Sequence, residues 1–109
     1  MAQARVAVLG AGLMGHGIAQ VFALAAHPVS IFDTVKASLD QVRTRIAANL
    51  RDLGDDPAAV ERVRPCADLA DTVRDADFVV EAGAKAHQRP VAKHDEIQVW
   101  RMSYVASYS

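Results

Sequence analysis

The stretch VAVLGAGLMGHGIAQ, Val6 to Gln20, decides the fold. Val6, Ala7, Val8 and Leu9 are apolar without alternation, as in a strand buried on both faces, and Gly10 punctuates its end. From Leu13 the period changes. Ile18, Val21, Phe22 and Ala25 fall at i, i+3, i+4 and i+7, the spacing of one helix face. Between strand and helix, Gly10, Gly12 and Gly15 form G-x-G-x-x-G. The first glycine permits a tight turn out of the strand. A side chain at the second would block the approach of a pyrophosphate, and the third lets helix and strand pack closely. The helix N-terminus then offers free N–H groups and a partial positive charge to phosphates. A turn that binds nothing uses the same glycines, so the weight of the pattern rests on its context.

The next stretch, HPVSIFD (His27 to Asp33), supplies that context. Pro28 stops the helix, Val29 to Phe32 read as a second strand, and Asp33 ends it. A carboxylate about 20 residues beyond the loop accepts hydrogen bonds from the adenosine ribose and repels a 2′-phosphate, which favours NAD over NADP. Its competing use is to cap the helix that begins at TVKASL. Lys36 reads as a solvated first-turn lysine. That helix places Leu39, Val42, Ile46, Leu50 and Leu53 on one face, with Arg43, Arg45 and Arg51 on the wet side, and GDDP ends it. RPCADL is ambiguous, with a short edge strand as one reading. LADTVRDA is a brief helix with Leu69, Val73 and Ala76 inward, and DFVVEA, Asp77 to Ala82, is the third clear strand. Alternating strands and helices imply parallel strands with right-handed crossovers, an α/β doubly wound sheet.

Residues 83–109 change character. They hold the single Trp and both Tyr, and no clean period emerges. The 109 residues suggest one domain. A net charge of -1 argues against nucleic-acid or membrane partners, and no apolar run approaches the roughly 20 residues of a membrane span. The short apolar stretch at the start, broken by glycine, does not suit a signal peptide. Cys66 is the only cysteine, which fits a reducing, cytoplasmic setting and a bland, partly buried position. His16 reads as an exposed first-turn residue and His27 as a loop residue. Met14 packs either under a cofactor or into the core.

VAVLGAGLMGHGIAQVFA, VSIFD and DADFVVEA resemble the N-terminal NAD-binding domain of the L-3-hydroxyacyl-CoA dehydrogenase family, over Val6 to Ala82. The resemblance implies a Rossmann-type doubly wound sheet and an enzyme that oxidises a 3-hydroxyacyl-CoA to the 3-ketoacyl-CoA, passing hydride to NAD. Relatives with the same domain act on carnitine or gulonate. Carried over residue by residue, Gly10, Ala11, Gly12, Leu13, Met14 and Gly15 match the pyrophosphate loop, and Asp33 matches the ribose-binding acid. Glu81 and Ala82 match the strand end that lines the cofactor crevice.

Beyond Ala82 the sequence departs from the family pattern. Lys85 stands where the family has a cofactor-contacting Glu, and Pro90 where it has a Lys. The family's S-N-T-S stretch, its catalytic His and its helical C-terminal domain have no counterpart here. The expectation is therefore a first βαβαβ half over 1–82 and an unmatched tail over 83–109, from a truncated or frame-shifted product or a variant tail. No catalytic residue or metal ligand is assigned. The adenosine half of NAD becomes the expected ligand. Phe78 to Val80 becomes a hydrophobic sheet edge, either covered by the tail or open to self-association. The alternatives are a small non-catalytic nucleotide-binding or regulatory module, or a subunit completed by a separately encoded catalytic chain.

Overall fold

The computed structural model describes residues 3–82 and the backbone of the strand at 98–102. The chain runs β1 (Val6–Leu9), α1 (Leu13–Leu24), β2 (Val29–Phe32), α2 (Lys36–Leu53), a 3-10 segment (Pro57–Arg62), β3 (Val63–Pro65), α3 (Leu69–Val73), β4 (Phe78–Ala82) and β5 (Gln98–Met102). The strands form one sheet in the order β3-β2-β1-β4-β5, and every pairing is parallel. This is the doubly wound, Rossmann-type arrangement. The strand order reverses between β1 and β4, the place where such sheets open a crevice at their carboxyl ends.

Alternation along the strands divides the core. Val6 and Val8 point to the same side as Val29, Ile31 and Val80, where α1 and α2 cover them with Ala19, Ala23, Leu39, Val42, Ile46 and Leu50. Ala7 and Val79 face the other way and pack with Val73 and Ala76. Helices on both faces explain why β1 is apolar at every position.

Two expectations about the helices do not hold. The buried stripe of α1 is Gly15, His16, Ala19 and Ala23; Ile18 and Phe22 only flank it. Val21 is 64% exposed, and Ala25 is an exposed C-cap. A helix that lies close on its sheet turns its smallest residues inward, so the spacing of the large ones marks the shoulder of the face. Leu53 shares the angular face of Leu39 to Leu50 but is 68% exposed, because the core does not reach the last turn of α2. The open reading of a short edge strand near RPCADL is borne out: Val63–Pro65 pairs with β2, and Phe78–Ala82 is the fourth strand in chain order.

The tail supplies the neighbour of β4 at the sheet edge. β5 pairs with β4 along its whole length, Phe78 opposite Gln98 and Ala82 opposite Met102. Of the two readings of this edge, covered by the tail or open, the pairing bears out the first. Five residues, QVWRM, are too few to show a period, and a strand end is visible in them only through Val99 and Trp100. The connection over 83–97 lies outside the described residues.

On the α3 side, Arg64 from β3 donates to Asp71 of α3 at 3.0 Å and to Ser30 Oγ at 3.2 Å, while Arg74 donates to the other Asp71 oxygen at 2.9 Å. The hydrogen bond from Arg64 holds the Asp71 carboxyl below the usual carboxylate range. A depressed folded pKa means that this pairing stabilises the fold at neutral pH and is lost as pH falls through that lowered value. We predict that Arg64→Gln moves the Asp71 titration upward, read by carboxyl carbon shifts in a pH series. An unmoved Asp71 curve would show that the pairing does not persist in solution.

Candidate functional site

β1 delivers the chain into Gly10, which takes φ +117° and donates its N–H to Phe32 O at 2.6 Å. A Cβ built on Gly10 would overlap the carbonyl oxygen of Ala82 at the end of β4. Gly10 therefore sits between the carboxyl ends of β2 and β4, and no side chain fits there. The Ala11 N–H donates to Asp33 Oδ2 at 2.7 Å, and the Ala11 side chain is buried. Gly15, one turn later, lies so close over the loop that a Cβ would overlap Gly10 O.

Gly12 differs from both neighbours. Nothing lies within 4 Å of where its Cβ would be. Gly12 is the N-cap of α1, with no side-chain cap and no acidic residue in the first turn. The mouth of α1 is thus open in space and positive in potential, the combination that receives an anion. Leu13 stands beside it 77% exposed, and Met14 is partly buried and packs against the core.

Asp33 spans two elements. Oδ2 takes the Ala11 N–H, and Oδ1 takes the Val35 N–H at 2.7 Å. It is not the N-cap of α2, which is Val35. A carboxylate has about four acceptor positions, so these two bonds leave capacity for a ligand's hydroxyls. Beyond Asp33 opens a groove of about 690 Å³, lined by Phe32, Thr34, Leu39, Arg43, Cys66 and Ala67 among others. Lys36 lies at its margin, paired with Asp40 at 3.1 Å and exposed as expected. Cys66 is more deeply buried than anticipated, at 3% exposure, with its N–H on Ile31 O.

A second cavity of about 500 Å³ lies at the amino ends of the strands, between Arg5, Ser30, Arg62, Arg64 and Asp75. Sheets of this kind bind ligands at the carboxyl ends, and the glycine loop, Asp33 and Ala82 all converge there. The structure therefore brings every residue of the expected set to one end of the sheet. His27 is at the other end, with Nδ1 2.9 Å from Ala4 O. His87 and His94 lie outside the described residues.

His16 is the residue that sequence reasoning placed wrongly. It is buried, with Nδ1 2.8 Å from Gly12 O and Nε2 3.3 Å from Asn49 Nδ2. Asn49 Nδ2 also donates to Gln20 Oε1 at 3.2 Å, which links α2 to α1. No motif in the sequence marks Asn49. The available signal was an amide one residue before the core position Leu50, on a helix whose other polar residues are mostly charged or small.

The contrast between glycines is testable. Gly15→Ala must displace a backbone carbonyl and should cost about 2 kcal/mol in urea unfolding. Gly12→Ala should change stability by less than about 1 kcal/mol, because its backbone suits any residue and the space is free. Equal losses would contradict this geometry.

The family described as 3-hydroxyacyl-CoA dehydrogenase, NAD binding domain, matches residues 5–90, which carries the likeness past Ala82. A probable 3-hydroxyacyl-CoA dehydrogenase of Caenorhabditis elegans is 37% identical over 90 residues, covering 71% of this chain and 29% of that protein. A second from the same organism is 33% identical over 89 residues, covering 71% of this chain and 30% of the relative. The chain thus spans less than a third of the length of these relatives. Among solved structures, 3-hydroxybutyryl-CoA dehydrogenase from Escherichia coli K12 superposes with a TM-score of 0.65 at 32% identity, over 75% of this chain and 19% of that one. A diketoreductase superposes with a TM-score of 0.74 at 27% identity, over 94% of this chain and 42% of that one. With the glycine loop, the acid after β2 and the switch point between β1 and β4 all in place, the chain belongs to the 3-hydroxyacyl-CoA dehydrogenase family and carries its NAD-binding domain.

Proposed function

We propose that this domain holds NAD for the oxidation of a 3-hydroxyacyl-CoA to the 3-ketoacyl-CoA, with the dinucleotide laid across the carboxyl ends of β2, β1 and β4. The observation that carries the reading is the open Gly12 position at the uncapped start of α1, between two glycines that are sterically closed. The pyrophosphate lies against the backbone of Ala11 and Gly12, facing the N–H groups of Leu13, Met14 and Gly15. Gly10 makes the turn that brings them there. The ribose hydroxyls donate to the free acceptor positions of Asp33, and the adenine enters the groove beside Leu39 and Cys66. Ala82 borders the crevice on the nicotinamide side. Bound there, NAD supplies the hydride acceptor.

Hydride transfer from an alcohol also needs a base for the hydroxyl proton. His16 and His27, the two histidines among the described residues, are engaged by Gly12 and Ala4, so neither is assigned that task. The reading therefore gives the described residues binding and orientation, and leaves the proton to groups outside them. A single buried cysteine suits a reducing compartment, and the cytoplasm is the proposed location. A second reading, reduction of a carbonyl compound that carries no CoA, draws support from the superposition on the diketoreductase over nearly the whole chain. Both readings share the cofactor site.

Calorimetric titration with NAD, ADP-ribose and NADP tests the site. NAD and ADP-ribose should bind within a few-fold of each other, and NADP at least about tenfold more weakly, because Asp33 faces its 2′-phosphate. Asp33→Ala should weaken the first two. NADP binding as tight as NAD would overturn the assignment of Asp33, and no binding of any of the three would overturn the reading itself.

A further inference from the structure

His16 sits under the glycine loop with 7% of its surface exposed. Gly12 O receives two hydrogen bonds, one from the His16 backbone N–H at 3.0 Å and one from the ring at Nδ1, 2.8 Å away. A carbonyl oxygen only accepts, so Nδ1 carries the hydrogen. On the far side of the ring, the Asn49 amide nitrogen faces Nε2 at 3.3 Å and Gln20 Oε1 at 3.2 Å, and as a donor to both it leaves Nε2 an acceptor. The network selects the Nδ1–H tautomer, the minor form of imidazole in water.

The consequence lies in the peptide plane. The Gly12 carbonyl and the Leu13 N–H belong to one rigid unit. Gly12 has no side chain and empty space on its Cβ side, so the plane is held through its carbonyl, by the first helical bond from the His16 N–H and by the ring. Holding the carbonyl from beneath aims the Leu13 N–H, the first donor of α1, out of the helix mouth. Asp33, just after β2, fixes the neighbouring loop residue by accepting the Ala11 N–H. We infer that His16 is a positioning residue for the pyrophosphate of the cofactor, held in its working tautomer by Asn49 of α2. The inference rests on the proposed function and adds a residue that the G-x-G-x-x-G pattern does not specify.

The test separates the pyrophosphate from the rest of the ligand. Nitrogen-15 spectra of the histidine ring in the wild-type protein should show Nδ1 protonated and Nε2 bare. His16→Leu keeps the volume and removes the donor, while His16→Asn keeps a donor where Nδ1 stood. His16→Leu should weaken ADP-ribose about tenfold and leave adenosine within about twofold, and His16→Asn should recover most of the loss. An Nε2–H tautomer overturns the inference. So do equal losses for adenosine and ADP-ribose, the mark of a purely structural role, and so does unchanged ADP-ribose binding. Wild-type protein that binds neither ligand overturns the cofactor reading and this inference with it, whereas intact wild-type binding with any of the other failures overturns the inference alone.

Discussion

Gly10 takes a left-handed backbone at the one point where β2, β1, β4 and the first turn of α1 meet. Its N–H goes to Phe32 O, the space for its Cβ is filled by the Ala82 carbonyl, and its own carbonyl fills the space for a Cβ on Gly15. Three chain segments thus approach through backbone alone. That closeness brings α1 down onto the sheet along Gly15, Ala19 and Ala23 and opens its N-terminus at the switch point between β1 and β4. A side chain at Gly10 or Gly15 would lift the helix, and the crevice, the loop and the core beneath α1 would move together.

Within that frame the loop is built to be rigid at its sides and empty at its centre. Asp33 ties Ala11 to the turn after β2, and the same carboxylate closes that turn through Val35. The carboxylate proposed to receive the ribose is therefore also a brace of the loop, and that proposal couples binding to stability at Asp33. The electrostatics agree. No acidic side chain stands in the first turn of α1, and the Asp33 carboxylate is spent partly on backbone N–H groups.

The fold was legible because its strongest determinants are local. An apolar run into G-x-G-x-x-G, an acid after the next strand and alternating elements are enough to specify parallel crossovers and the place of the site. What escaped reading was set by packing at longer range. The buried face of α1 is centred on alanine and glycine, which carry little hydrophobic signal, so Val21 was assigned inward and lies in solvent. His16 became a core residue because Asn49, 33 positions away, meets its ring. β5 depends on pairing with β4, and a five-residue strand has no pattern of its own until a partner fixes its register. Leu53 shows the converse, a periodic position that outruns its core.

In the proposed function, the backbone from Gly10 to Gly15 is held in shape to receive a pyrophosphate at Gly12. Amide proton–nitrogen spectra of the 109-residue chain, recorded while NAD is added, test it most directly. The amides of Ala11, Gly12, Leu13 and Met14 should move most, with those around Asp33 next, while Arg5, Arg62 and Arg64 at the opposite end of the sheet stay still. Shifts concentrated among those arginines, with the glycine loop unchanged, would contradict it.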